Sequence, residues 1–329
     1  MYTKTEYRGV EPKCYENNHV EKVVEKIKEN FPDYFERFIE TEAGVGISSK
    51  DFAKLRENFG VKSVKDVSKK DLSAKYKRII ADSYEEFEKD RESYLNIFDL
   101  ESLEEYEEDP YTFKSDVLKT KCPIIRKTLN SKNAKELDKY RYEFGVADAD
   151  YLLSVVTKLC ETANDYIENI YDAETYESIE DYKDLKMEEF DSEECTAYGV
   201  IGGGIKTLML HKVNPEMFSS RSRNALWALW YLSGKENFGC TTDSEFLMID
   251  VNKFITQQNY FYPYELFHYY AFEVFKLLRD KANEMNAYID PAYRYVVVDR
   301  FFEFVASEHE EEISTLQAQI RDNEGAAYA

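Results

Sequence analysis

Cysteine is scarce in this chain of 329 residues, and the few cysteines follow no recognisable pattern. The five are Cys14, Cys122, Cys160, Cys195 and Cys240. No two of them form a Cys-x-x-Cys pair, the spacing typical of zinc fingers and redox motifs. An odd number of scattered cysteines is typical of reduced thiols in a reducing compartment. We therefore expect no disulfide framework, no bound metal and no cofactor.

Long apolar runs are also lacking. No stretch approaches the roughly 18 consecutive apolar residues that a membrane-spanning helix needs. The first residues, Met1–Glu6, are polar and do not resemble the apolar core of a signal peptide. These features predict a cytoplasmic protein with no membrane partner.

Histidine is limited to four isolated positions in the sequence. They are His19, His211, His268 and His309. None of them stands beside a serine or cysteine in a motif that would activate a nucleophile. The sequence therefore favours a protein that is not an enzyme, and it identifies no catalytic residue.

Most of the net charge of −22 is concentrated in two short acidic blocks. Residues 82–109 carry 13 acidic and 2 basic side chains, and residues 161–194 carry 14 acidic and 2 basic side chains. Such blocks are either solvated faces or surfaces that contact a basic partner. The tyrosine and isoleucine residues of the second block predict a loosely amphipathic helix. Residues 195–306 are nearly neutral, and any chemistry is expected in their first part, at about 195–270.

Apolar residues recur at helical spacing along most of the chain. One such stripe consists of Val20, Val23, Val24 and Ile27. We predict a mainly α-helical protein with an N-terminal helical region at 18–109 and a larger helical region at 110–321. Two short apolar runs, 246–249 and 295–298, predict a minor two-stranded β element within the second region.

Three consecutive glycines mark the most unusual segment. Gly202, Gly203 and Gly204 precede a predicted helix, with Lys206 and Thr207 in its first turn. Backbone N–H groups at a helix N-terminus bind anions, so these residues are candidates for phosphate binding. The alternative is that the glycines permit close helix packing or a positive φ angle. The spacing does not fit a nucleotide-binding P-loop, because Ile205 is inserted before the lysine.

The Gly202-x-Gly204 turn followed by Lys206-Thr207 resembles the hairpin of the helix-hairpin-helix DNA-binding element. Leu210-His211, Pro215 and Phe218 are similar to the stretch that follows this hairpin in the DNA glycosylase superfamily. The resemblance covers about 30 of the 329 residues. It implies contact with the phosphate backbone. It does not imply glycosylase activity, because Phe218-Ser219-Ser220-Arg221 stands where those enzymes carry a catalytic aspartate.

Two further groups of residues complete the candidate site. Arg221 and Arg223 could hold a phosphate through bidentate hydrogen bonds, or could pair with one of the acidic blocks. The candidates for contact with a ligand or an unstacked base are His211, Gln257, Asn259 and Tyr262. The alternative for the latter group is a tyrosine-rich loop packed on its own domain. Trp227 and Trp230, three residues apart, are expected in the core.

The sequence leaves two interpretations of function open. The first is a nucleic-acid-associated protein, for DNA processing or phage defence, that binds the phosphate backbone through the glycine-rich helix start. The second is an acidic protein-interaction or inhibitor module that contacts a basic protein and has no catalytic activity. The first requires a basic surface within residues 195–270, whereas the second requires a continuous acidic surface.

Overall fold

The stripe of apolar residues near residue 20 lies on a helix, as its spacing predicts. Helix α1 (Asn17–Glu42) buries Val20, Val23 and Ile27 on one face. The computed structural model describes residues 10–42, 69–240, 246–250, 255–259 and 261–317. Within these ranges the chain is mainly helical and globular, which confirms the predicted fold class at this level.

The other helices follow α1 in chain order. They are α2 (Lys69–Leu95), α3 (Leu100–Glu104), α4 (Pro110–Thr112), α5 (Pro123–Asn130), α6 (Asp138–Val146), α7 (Ala149–Asp165), α8 (Gly203–Val213), α9 (Arg223–Leu232), α10 (Tyr264–Glu284) and α11 (Arg294–Glu308). Helix α4 continues as a π-helix over Phe113–Lys121, and α7 continues as one over Tyr166–Ile170. Residues 310–317 are also helical.

The chain forms two compact units, each assembled from segments that are distant in sequence. The first unit contains the described residues of Phe87–Ser222 and Tyr260–Tyr269, and the second contains those of Val10–Glu86, Arg223–Asn259 and Tyr270–Ala329. This division differs from the two consecutive regions expected at 18–109 and 110–321. Sequence composition shifts at the acidic segment near residue 109, but a unit is defined by which segments pack together.

The core of the first unit is built largely around helix α7. Asp148 caps this helix by accepting a hydrogen bond from the backbone N–H of Tyr151 at 2.9 Å. The buried residues Leu152, Val156 and Leu159 recur at helical spacing and face the core. Burial of each such side chain contributes about 1.5–3 kcal/mol, so packing rather than helix propensity holds α7 in place.

The second acidic block does not form the amphipathic helix that its sequence predicts beyond residue 170. It folds instead as three 3-10 turns, at Tyr176–Ser178, Tyr182–Leu185 and Glu188–Asp191. Asp172 and Asp181 accept hydrogen bonds from backbone N–H groups two residues later, which favours turns over a continuous helix. The buried side chains Tyr176, Tyr182, Leu185, Met187 and Phe190 anchor these turns.

The core of the second unit is aromatic. Helices α9, α1 and α11 pack against one another, and Phe31 and Phe38 of α1 contact Phe301 of α11 with ring centroids 5.3 Å apart. Helix α9 is buried on all sides over residues 225–232. Trp227 and Trp230 therefore belong to the core, as expected from their spacing.

The predicted β element is wrong at its second run. Tyr295–Val298 lies within α11, where the four residues are buried together with Phe301, Phe302 and Val305. A helix that is buried on all sides carries apolar residues at every position, so four of them in a row do not distinguish it from a strand. Leu247–Asp250 pairs instead with Ile255–Gln258 in an antiparallel hairpin.

None of the helices in the described ranges combines the length and the apolar character that crossing a membrane demands.

Candidate functional site

The glycine-rich segment begins a helix, as predicted. Gly202 is the N-cap residue of α8, and Gly203 is its first residue. A Cβ atom added at Gly202 would meet nothing within 4 Å, and one added at Gly204 would make only an ordinary contact of 3.5 Å with the carbonyl oxygen of Arg221. Neither position has a positive φ angle. Close packing and backbone strain therefore do not explain these two glycines.

Two of the three cations predicted to bind phosphate, Lys206 and Arg221, meet in the first unit, but they are buried. Lys206 is 1% exposed and Arg221 is 3% exposed. Both contact Oδ1 of Asp191, at 3.3 Å from Lys206 Nζ and 3.2 Å from Arg221 Nη2. Lys206 also donates to Thr196 Oγ1 at 2.8 Å and to the carbonyl of Phe190, and Arg221 donates to the carbonyl of Tyr262.

Asp191 is the acceptor at the centre of this cluster. Its other oxygen, Oδ2, accepts the backbone N–H of Tyr264 at 2.5 Å, at the first residue of α10. Desolvation raises the pKa of Asp191, but Arg221 and Lys206 outweigh this effect and hold the pKa below its ordinary value. Burial lowers the pKa of Lys206 against the opposing effect of Asp191. A phosphate at these cations would have to displace their protein partners, so phosphate binding stays a prediction.

The other predicted site residues are mostly part of the interior. Thr207 Oγ1 accepts the backbone N–H of Arg221 at 3.0 Å, and His211 Nδ1 lies 2.8 Å from the carbonyl oxygen of Phe218. Burial lowers the pKa of His211 to about 3, so its ring is neutral at pH 7. Tyr262 and Asn259 are buried as well. The side chain of Gln257 lies outside the described residues.

Arg223 differs from the other predicted cations because its side chain is exposed. It lies in the second unit, at the start of α9, and its Nη2 donates to Gln317 Oε1 at 2.8 Å. Within the described residues, the partner of Arg223 is thus an amide and not a carboxylate of an acidic block.

A hydrogen-bonded chain in the first unit was not predicted from the sequence. Ser219 Oγ lies 2.8 Å from His268 Nδ1, and His268 Nε2 lies 2.7 Å from Tyr176 Oη. A serine beside a histidine is the arrangement of many nucleophilic enzymes. Here all three side chains are buried in the core, so a substrate has no access to the hydroxyl. These hydrogen bonds therefore link three segments of the first unit.

Glu265 lies one residue after Tyr264 and faces the acidic turns. Desolvation, followed by the neighbouring charges of Glu188 and Asp191, raises the pKa of Glu265 to about 7. The first unit thus combines a neutralised basic interior with an excess of carboxylates outside it. Of the 14 acidic residues at 161–194, 12 are exposed.

The second unit contains a cluster of side chains that bind metals in other proteins. Cys14 lies in a 3-10 turn at Pro12–Tyr15, His19 lies in the first turn of α1, and Cys240 follows the turn after α9. One donor atom from each residue lies within 4.8 Å of the others. The two Sγ atoms are 3.7 Å apart. The three residues are 1%, 3% and 6% exposed, respectively.

Two contacts hold the segment with Cys14 and His19 against the segment with Cys240. Lys13 Nζ donates to the carbonyl oxygen of Gly239 at 3.1 Å, and the ring of Phe238 packs edge-on against His19 with centroids 5.7 Å apart. Gly239 has a φ angle of +79°, which favours glycine and directs Cys240 back towards Cys14. Desolvation, with Lys13 and Lys22 nearby, lowers the pKa of His19 to about 4, so the ring is neutral and able to coordinate.

The sequence analysis expected no metal ligands and did not identify this cluster. The local signal is the Cys14-x4-His19 spacing, which places Cys14 in the 3-10 turn before α1 and His19 in the first turn of α1. The third member, Cys240, is 226 residues away from Cys14. Such a separation has no signature in a single sequence.

An open cleft borders the cluster. Its volume is about 630 Å³, and it is lined by Lys22, Trp230, Lys235, Glu236, Asn237, Phe238 and Gly239. Phe238 contacts His19, and Gly239 directly precedes Cys240. Two residues of the cleft wall are therefore neighbours of potential ligands, but none of the three potential ligands lines the cleft itself.

No family model, curated protein or solved structure matches this chain. The helix-hairpin-helix resemblance of the segment at 202–218 consequently stays a prediction.

Proposed function

We propose that this protein binds a transition-metal ion, with Zn²⁺ as the expected metal, through Cys14 Sγ, Cys240 Sγ and a ring nitrogen of His19. The observation that carries the proposal is the convergence of these three donors within 4.8 Å in a buried part of the second unit. Thiolate and imidazole together are ligands that Zn²⁺ prefers in proteins.

The distance between the two sulfur atoms supports this proposal. A zinc–sulfur bond is about 2.3 Å long, and two sulfurs on a tetrahedral zinc are therefore about 3.8 Å apart. The sulfurs of Cys14 and Cys240 are 3.7 Å apart. A disulfide would bring them to about 2.05 Å. Their positions thus fit two ligands of one tetrahedral ion without rearrangement.

The charges of the cluster also suit a divalent cation. Two thiolates neutralise the charge of Zn²⁺, and the histidine binds in its neutral form, which its lowered pKa provides at pH 7. Mg²⁺ and Ca²⁺ prefer oxygen ligands, and none of the three donors is an oxygen. The chemistry of the donors therefore favours a soft or borderline metal.

The test is metal analysis of the full chain, purified under reducing conditions, followed by titration of the metal-free protein with Co²⁺. We expect one metal ion per chain and a thiolate-to-cobalt absorption band that saturates at one equivalent. Cys14→Ser and Cys240→Ser should each weaken Co²⁺ binding by about 100-fold or more, because each removes a ligand.

Cys122→Ser is the matched control, since Cys122 is also a buried free thiol but lies in the first unit. Its Co²⁺ affinity should equal that of the unmodified chain. Absence of a cobalt–thiolate band, or equal binding by Cys14→Ser and the control, would overturn the proposal. Formation of a Cys14–Cys240 disulfide under these conditions, detected by mass spectrometry, would also count against it.

An acidic interaction surface is a second candidate function, supported by the exposure of 12 of the 14 acidic residues at 161–194. We propose that this surface contacts a basic protein. Charge neutralisation of the exposed acids at 180–194 other than Asp191, which pairs with Lys206 and Arg221, should abolish binding of a polylysine probe to the full chain. Neutralisation of Glu21, Glu25, Glu36 and Glu40, which are exposed on α1, is the control.

The same binding experiment addresses the nucleic-acid interpretation. A duplex DNA probe replaces polylysine, at low and moderate salt, because phosphate contacts weaken steeply as salt rises. If the chain binds DNA, and Lys206→Ala combined with Arg221→Ala abolishes that binding in a folded protein, the acidic-surface proposal gives way to the phosphate-binding one. If polylysine binds and DNA does not, the acidic surface is supported.

A further inference from the structure

The open cleft of the second unit is a candidate binding site in its own right. Lys22 of α1 and Trp230 of α9 line it, together with the turn at 235–239 that follows α9. Its volume of about 630 Å³ falls in the usual range for sites that bind small molecules. None of the three potential metal ligands lines the cleft, so a ligand bound there does not depend on the proposed metal.

The turn that forms most of the cleft has a backbone conformation that residues other than glycine rarely adopt. Lys235 has a φ angle of +61° and Phe238 has one of +48°. Such conformations persist only where the surrounding structure fixes them, and they occur preferentially at ligand sites. Here Asn237 fixes the turn, because its Oδ1 accepts the backbone N–H of Gly239 at 3.1 Å and its carbonyl accepts that of Cys240 at 2.8 Å. The turn therefore holds its part of the lining in a preformed arrangement.

The charged residues of the lining differ in whether their charge is already neutralised. Lys235 Nζ lies 2.6 and 2.8 Å from the two carboxylate oxygens of Glu312, and Glu236 pairs with Lys26 at 3.3 Å. Lys22 is exposed and, in the part of the chain that the structure describes, it forms no ion pair. Lys22 is therefore the cation available to a ligand. A single available charge, with two carboxylates close by, suits a monoanion better than a polyphosphate.

Two aromatic residues place apolar surface in the same cleft. The Trp230 side chain is fixed by the core, since it is only 8% exposed, and Lys235 Nζ lies 5.4 Å from the centroid of its ring. Phe238 packs edge-on against His19. Rings that are already fixed lose little side-chain freedom when a ligand packs against them. The lining therefore favours a ligand that has an aromatic ring beside its negative group.

We propose that this cleft binds a small aromatic monoanion, such as an aryl carboxylate, with the anionic group at Lys22 and the ring against Trp230 and Phe238. The site adds small-molecule binding to the proposed metal binding, and it is formed by different side chains. Its selectivity comes from the combination of one unpaired cation with fixed aromatic surface, because inorganic anions use only the first and neutral aromatic molecules use only the second.

The experiment uses the full chain and two fluorescent probes of the same shape. Anilinonaphthalene sulfonate is an aromatic monoanion whose emission rises when it leaves water, and N-phenylnaphthylamine has the same rings without the sulfonate. The sulfonate probe should saturate at one equivalent. Lys22→Ala should raise its dissociation constant about tenfold, because a charge-assisted contact is lost, and should leave that of the neutral probe unchanged. Lys22→Arg retains the charge and should keep the affinity within about twofold.

Lys77→Ala is the matched control, because Lys77 is an exposed lysine of α2 in the same unit and does not line the cleft. It should bind both probes as the unmodified chain does. Emission that does not saturate at one equivalent would overturn the site. Equal affinity of Lys22→Ala and Lys77→Ala for the sulfonate, or equal weakening of both probes by Lys22→Ala, would overturn the assignment of the anionic group to Lys22.

Discussion

Asp191 provides the sharpest test of how the first unit is held together. Its carboxylate accepts hydrogen bonds from Lys206 and Arg221 and from the backbone N–H of Tyr264. Asp191→Ala leaves the ammonium of Lys206, 1% exposed, and the guanidinium of Arg221, 3% exposed, without their counter-charge. It also leaves the first N–H of α10 without its acceptor.

The expected loss of stability follows from the burial of the two cations. Removal of one partner of a buried ion pair typically costs about 3–5 kcal/mol. The side chain of Asp191 is 33% exposed, so water compensates part of the loss and we expect the lower end, about 3 kcal/mol. Asp191→Asn retains an acceptor for the N–H of Tyr264 and should lose about 2 kcal/mol.

The pH dependence of the variant gives an independent check. Burial already lowers the pKa of Lys206, and the loss of Asp191 removes the charge that opposes this effect. Lys206 in the variant should therefore release its proton more readily than in the unfolded chain. The difference in stability between Asp191→Ala and the unmodified chain should therefore shrink as the pH rises towards the ordinary pKa of a lysine, because Lys206 becomes neutral first in the folded variant.

Urea denaturation followed by far-UV circular dichroism measures these differences at each pH. Glu189→Ala is the matched control, because Glu189 is exposed in the same turn and its removal should change stability by less than about 0.5 kcal/mol. Equal stabilities of Asp191→Ala and Glu189→Ala would refute the reasoning. In that case the remaining acceptors of the two cations, Thr196 and the carbonyls of Phe190 and Tyr262, would be sufficient to hold them.

Three further predictions concern single groups. Glu265 ionises in the unfolded chain near pH 4.5 but in the folded protein near pH 7, so stability should fall as pH rises through this window. Glu265→Gln should therefore raise the free energy of unfolding at pH 8 by about 1 kcal/mol after solvent screening, and no gain in the melting temperature would contradict this. Gly202→Ser should raise the free energy of unfolding by a few tenths of a kcal/mol, because serine is a better N-cap and the position has free space. The midpoint of urea denaturation measures this change, and a loss of stability would contradict it. His211 stays neutral in the fold down to about pH 3, so stability should decrease as pH falls below 6.5. In His211→Gln the melting temperature should depend less on pH in this range. An unchanged slope of melting temperature against pH would show that this histidine is not the cause.

The metal cluster and the acidic turns at 176–191 depend on different parts of the protein for their structure. The metal cluster depends on a loop that returns Cys240 to the start of α1, so its ligands should be lost if that loop is displaced. The acidic turns at 176–191 depend on buried anchors such as Tyr182 and Phe190. Variants of their exposed carboxylates, Asp191 excepted, should therefore change binding without changing stability much.

The sequence by itself was sufficient for the helices with a one-sided apolar pattern. Leu152, Val156 and Leu159 predict α7, and the valines near residue 20 predict α1, because the period of 3.6 residues is a local property. At Tyr295–Val298, by contrast, the run of four apolar residues predicted a strand where the structure has a helix. That segment is buried on all sides, and its partners in α1 and α9 lie far away in the chain.

Tertiary structure alone decided the role of the charged residues. Lys206 and Arg221 are residue types that commonly bind phosphate. In the fold they pair with Asp191 instead, because the turn at Glu188–Asp191, anchored by the buried Phe190, brings its carboxylate to both of them. The metal cluster was equally hidden from sequence, because Cys240 joins Cys14 across 226 residues. Local spacing determines which face of an element a side chain occupies, whereas the packing of distant elements determines which charges and ligands meet.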